Sequence, residues 1–116
     1  MIYDKAHELA RALKQSPEYQ EFKKAQKLVE QNQESHKMLK DFQTKQMELQ
    51  SMQLLGQEIP AEKKQEYEKM MELLSLNPAI SSYLQAEYQL GRIMADIQKI
   101  LADALELKGR EEGAER

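Results

Sequence analysis

A chain of 116 residues has room for one hydrophobic core and no second, and its 17 basic against 20 acidic residues, a formal −3, create neither a field for a polyanion nor an acidic solvating tail. The absence of cysteine excludes disulfides, a thiolate nucleophile, iron–sulfur ligation and sulfur-ligated zinc. Straight-chain helix formers dominate, Val29 is the only valine and Thr44 the only threonine, so the expected class is all-α: an antiparallel bundle of about five helices.

The first predicted helix, Ile2 to Lys14, places Ile2, Ala6, Leu9 and Leu13 on one narrow stripe opposite Asp4, Glu8 and Arg11. Ser16-Pro17-Glu18 then offers a cap hydroxyl, a proline tolerated at the first helical position and an acid that suits the helix dipole, so helix 2 starts at Pro17 and buries Phe22, Ala25 and Val29, flanked by Tyr19. Around Gln31-Asn32-Gln33-Glu34 the apolar pattern lapses, which marks a break before helix 3, Ser35 to Leu55. That helix carries Met38, Phe42, Leu49 and Met52 on one face, interrupted by Lys45, with Met47 and Leu54 on the far side.

Gly56 is a fitting residue after a helix C-terminus, and Pro60 stops the chain from continuing in the same direction. Helix 4, Ala61 to Leu74, turns Tyr67, Met70, Met71 and Leu74 inward and Glu62, Lys63, Glu66 and Lys69 mostly outward. Asn77-Pro78 repeats the cap-and-proline start, opening a helix 5 that reaches Leu107, about 45 Å at 1.5 Å per residue. Its apolar arc, Tyr83, Leu90, Ile93, Met94, Ile97, Ile100, Leu101, Ala104 and Leu105, is too wide for one neighbouring helix. The opposite face, Gln85, Gln89, Arg92, Asp96, Lys99 and Asp103, is polar at spacings of three and four. Residues 1–108 are expected to form one domain and 109–116 a disordered tail.

Sites for chemistry are scarce. His7 and His36, the only imidazoles, fall on polar faces without a second histidine one turn away, so no helical zinc site is expected. Glu87 sits on the buried side of helix 5, where pairing with a lysine or a tyrosine hydroxyl is a better account than acid catalysis. Gly91 removes a side chain at a place where another helix could cross. No phosphate loop or nucleophile elbow is present, and no catalytic, metal-binding or cofactor-binding residue is assigned. The start of the chain lacks a secretory h-region, and no stretch approaches the roughly 20 apolar residues that span a bilayer, so a cytoplasmic protein without a membrane partner is expected. Lys23, Lys24 and Lys27 form a small basic patch, a candidate polyanion contact that lacks aromatics for base stacking.

The order Ser16-Pro17-Glu18-Tyr19, Phe42-Gln43, Gly56 before Ile59-Pro60, then Asn77-Pro78 with Tyr83-Leu84-Gln85-Ala86-Glu87, resembles the YlbF/YmcA family of small helical bacterial proteins, in particular its YheA-like branch. The resemblance spans helix 1 to Leu107. It implies a self-associating helical bundle from a Gram-positive bacterium, in a family whose better-known members join a complex linked to an endoribonuclease, RNA processing, competence, sporulation and biofilm development. Those members hold iron–sulfur clusters through cysteine; lacking cysteine, this chain does not inherit them. The expected function is a non-catalytic interaction or adaptor protein, and the alternative an RNA-associated factor. Its expected partners are a second copy and another protein, with nucleic acid the weaker option. Met47, Leu54, Leu90, Gly91, Ile93, Met94, Ile97 and Ile100 are the candidate oligomer interface.

Overall fold

The computed structural model describes residues 1–107, and the expected tail 109–116 lies outside them. Five helices follow one another: α1 (Ile2–Gln15), α2 (Pro17–Glu30), α3 (Gln33–Leu54), α4 (Ala61–Ser75) and α5 (Pro78–Ala104), with no strand among the described residues. The all-α class is as expected. The α1–α2 boundary is a single residue: the Ser16 hydroxyl donates to the Leu13 carbonyl at 2.6 Å and accepts from the Tyr19 amide at 3.2 Å, so one side chain closes one helix and opens the next.

The break before α3 is sharper and two residues earlier than the sequence pattern indicates. Asn32 is itself the N-cap, its side-chain oxygen accepting from the Ser35 amide at 3.0 Å. Asn77 does the same for α5 through the Ile80 amide at 3.1 Å. The two caps are joined, because the Asn77 side-chain amide donates to the buried Ser35 hydroxyl at 2.8 Å. This satisfies a hydroxyl that would otherwise be costly to bury.

Gly56 ends α3 at φ +71°, a left-handed conformation open to glycine, and the Gln57 amide reaches back to the Met52 carbonyl at 2.9 Å, the six-to-one bond of a Schellman turn. The chain reverses there, and α3 and α4 pack antiparallel, with Phe42 stacked on Tyr67 at 5.3 Å between ring centroids. Helix α2 runs antiparallel to the first half of α5: Leu28 and Asn32 face Pro78, Ala79 and Ser82, while Pro17 and Glu21 face Gln85 and Gln89. Phe22 meets Tyr83 in this seam at 5.4 Å.

The core is correspondingly small. Ala25, Val29, Leu39, Phe42, Leu74, Ile80 and Tyr83 are buried, with Phe22, Met38, Tyr67, Met70 and Leu84 packed against them. They come from α2, α3, α4 and the N-terminal third of α5. Helix α1 contributes no buried residue, and α5 contributes none beyond Tyr83. Met71, expected to face inward, is exposed, and the buried contacts of α4 run through Leu74 with Tyr67 and Met70 instead.

Candidate interaction surfaces

The apolar arc of α5 divides at the point where α2 ends. Up to Ala86 it is covered by α2, α3 and α4; from Leu90 onward it overhangs. Leu90, Ile93 and Ile97 are half-buried, whereas Met94, Ile100, Leu101 and Leu105 stand exposed, Ile100 and Leu105 at 65% each. On a helix wheel these residues span about 140°, since each step advances 100°. Gly91 sits within this overhang, and nothing lies within 4 Å of the place where a Cβ would stand. Among the described residues no helix crosses at Gly91, because the N-terminus of the antiparallel α2, at Pro17, already lies opposite Gln89.

Helix α1 is the most strongly amphipathic of the five, yet its stripe is open: Ile2 is 82% and Leu9 41% exposed, and only Leu13 is half-buried. Its main neighbour is α2, met across the Ser16 bend. An amphipathic helix of 14 residues gains its stability chiefly from burying its apolar face, so this exposure marks an unmet requirement. On α3, Met47 at 68% and Leu54 at 88% also face solvent, with Leu55 beside them. The eight candidate interface residues thus fall into two separate places, the α5 overhang and the outer side of α3.

Lys45, which interrupts the α3 stripe, is explained by α4. Its side chain is 16% exposed, its ammonium contacts the Glu66 carboxylate at 2.6 Å and Glu48 at 3.9 Å, and Lys63 closes the network on Glu48. Hydrogen bonding to Glu66 raises the Lys45 pKa above its ordinary value; the bond from Lys63 lowers Glu48 and the bond from Lys45 lowers Glu66. Lys63, expected to point mostly outward, turns toward α3 for this reason, while Glu66 stays exposed as expected and still reaches Lys45. The sequence signal for the network was a basic residue inside an apolar stripe.

Glu87 is exposed rather than on the buried side, and it accepts the Tyr83 hydroxyl at 3.3 Å. Burial, then the Glu87 charge, push the Tyr83 pKa upward. That direction keeps the phenol protonated, as a hydrogen-bond donor and not as a base or nucleophile. A niche of about 110 Å³ beside it is lined by Gln26, Glu30, His36, Lys40, Gln43 and Tyr83. Among the described residues no three His, Cys, Asp or Glu side chains converge as metal ligands. His7 and His36 are both exposed, on polar faces as expected. Lys24 and Lys27 are exposed and hold no ion pair with another described residue, and Lys23 donates to the Gln26 side chain at 3.0 Å. No described helix is long and apolar enough to cross a membrane.

Comparison with known proteins places the chain. The family described as "Control of competence regulator ComK, YlbF/YmcA" matches residues 2–106. The chain is 44% identical over 106 residues to a UPF0342 protein of Halothermothrix orenii, covering 91% of this chain and 90% of that one. It is 42% identical over 107 residues to a UPF0342 protein of Caldicellulosiruptor saccharolyticus, covering 92% and 89%. In structure it resembles a protein of unknown function (DUF964) from Bacillus stearothermophilus, with a TM-score of 0.81 and 24% identity over 90% of this chain and 92% of that one. It also resembles Bacillus subtilis RicA, whose structure was solved in complex with RicF, with a TM-score of 0.62 and 19% identity over 90% and 93%. At these identities the two structures speak for the fold, whereas the match along nearly the whole sequence shows that the chain belongs to the YlbF/YmcA family.

Proposed function

We propose that this protein is a non-catalytic adaptor whose open apolar helix faces are covered by other protein chains, and that it acts in regulation within a Gram-positive bacterium. The observation that carries this reading is the exposure of much of two amphipathic faces, the α1 stripe and the α5 overhang, on a chain of otherwise charged helices. Such contiguous apolar surface is the usual mark of a protein–protein interface. The family's description as a control of a competence regulator and the RicA–RicF complex of a structural neighbour support a regulatory, partner-dependent role. The raised Tyr83 pKa, the one shift on a buried phenol, argues against acid–base work at the Tyr83–Glu87 pair.

The test is recovery of the tagged chain from its native cell alongside the same chain carrying Leu101→Glu, with helicity checked by circular dichroism. A partner protein retained by the wild type and lost by the variant supports the reading. Equal recovery of background proteins by both would sink it. The RNA-associated alternative draws on Lys24 and Lys27, which are exposed without ion pairs among the described residues. A gel shift that weakens with salt and disappears on charge reversal of Lys23, Lys24 and Lys27 would favour it.

A further inference from the structure

We propose that the niche beside Tyr83 binds a small free α-amino acid, a function that stands independently of the adaptor reading. Two helix strips face each other across it. Gln26 and Glu30, one turn apart, come from α2, and His36, Lys40 and Gln43, at spacings of four and three, come from α3. Val29 and Leu39 give it an apolar base, and Tyr83 enters from α5. The cavity of about 110 Å³ has room for three to four waters at about 30 Å³ each. That admits glycine, alanine or serine and leaves no space for a long or aromatic side chain.

The charges in the niche select the ligand. Glu30 and Lys40 line the same small space with opposite signs, yet neither forms an ion pair with another described residue. A molecule that carries both an ammonium and a carboxylate meets each with its opposite, whereas a simple anion or cation leaves one of them unmatched. The neutral groups follow the same division. Gln26 stands beside Glu30, and its amide oxygen, which accepts from Lys23 at 3.0 Å, keeps a second lone pair for the ligand ammonium. Gln43 and His36 flank Lys40 and add N–H donors for the ligand carboxylate.

Tyr83 completes the site from below. Its side chain is 6% exposed, and its hydroxyl bond to Glu87, at 3.3 Å, exceeds the roughly 2.5–3.0 Å usual between oxygens. The phenol oxygen therefore retains acceptor capacity. After burial and Glu87, which raise the Tyr83 pKa, the groups that act on this hydroxyl are Gln43 and Glu30, one from each wall, which puts the hydroxyl at the niche. Glu30, His36 and Lys40 are exposed, so the mouth opens to solvent and a ligand can enter without rearrangement of the core.

Titration of the full chain with glycine, L-alanine and L-serine, followed by amide chemical shifts in NMR, tests the site. At least one should give saturable shifts centred on Gln26, Glu30, Lys40 and Gln43, with a Kd of about 1 mM or tighter, well within reach of a ligand of this size. Acetate and methylammonium, each carrying one of the two charges, should bind roughly tenfold more weakly or worse. Glu30→Gln and Lys40→Met should each weaken binding by roughly tenfold or more with helicity unchanged, since both side chains are exposed. Lys27→Met, which does not line the niche, should leave binding as it is. The proposal is overturned if none of the three amino acids gives saturable shifts at the niche. Binding that survives both substitutions, or that acetate or methylammonium matches, also overturns it. The adaptor reading is untouched by either result, because its capture experiment is separate.

Discussion

The two halves of α5 are one continuous helix in two different situations. From Pro78 to Ala86 it is enclosed by α2, α3 and α4, and Ile80 has no exposed surface at all. From Leu90 to Leu105 the apolar arc is at least as wide, yet it meets solvent. Hydrophobicity alone therefore does not make a core; the number and reach of neighbouring helices do, and here they stop at Gln89. The covered half holds the fold together, and the open half contributes no buried residue to it.

The sharpest way to break this contrast is to truncate one isoleucine in each half. Ile80→Ala should cost about 2–5 kcal/mol, because it removes packed methyl groups and leaves a cavity between α2, α3 and α4. Ile100→Ala should change stability by no more than about 0.5 kcal/mol. Urea unfolding followed by circular dichroism reads both; equal costs would mean that the overhang is packed within the monomer. Asn77→Ala comes next, at about 1–2 kcal/mol, since it removes the α5 cap and leaves the Ser35 hydroxyl without its donor.

A third substitution works in the opposite direction. Gly91→Ala lies in the open half at a helical position with free space for the added methyl, so the same unfolding measurement should show about 1 kcal/mol of stabilisation. A loss instead would reveal a close neighbour at that position.

The smallest effect concerns the α3–α4 network, far from the overhang. Glu48 and Glu66 have pKa values below the ordinary 4.5, so their contribution to stability is present above that value and is lost as pH falls through their lower folded-state values. Lys45, with a raised pKa, contributes below 10.5 and loses its contribution as pH rises through its folded value. Denaturation midpoints should thus decline below pH 4.5, and Lys45→Met should flatten that decline. The flattening isolates the network from the many other carboxylates.

Most of the architecture could be read from the chain because it is punctuated locally: Ser16-Pro17, Gly56, Pro60 and Asn77-Pro78 act on their own neighbours, and their placement needed no tertiary information. Asn32 was the exception, since it lacks a following proline and reads as a weak helix residue until its oxygen is seen on the Ser35 amide. Ile80 and Leu39, both buried, were missed by the apolar stripes because their burial depends on which helices arrive beside them. Glu87 and Gly91 depart from expectation for the same reason: periodicity assigns a residue to a face, but whether that face is covered depends on which helices arrive beside it. The width of the α5 arc did point to the surplus surface.

The hydrogen bond between Asn77 and Ser35 joins residues 42 positions apart. It brings the departure and return of the α3–α4 hairpin to one spot, so the hairpin is attached like a clasped loop to the α2–α5 pair. A clasp of this kind separates tasks. The hairpin can lengthen, shorten or acquire a new tip at Gly56 while the clasp keeps its base in place, so that variation in what the tip meets need not disturb the remainder of the molecule.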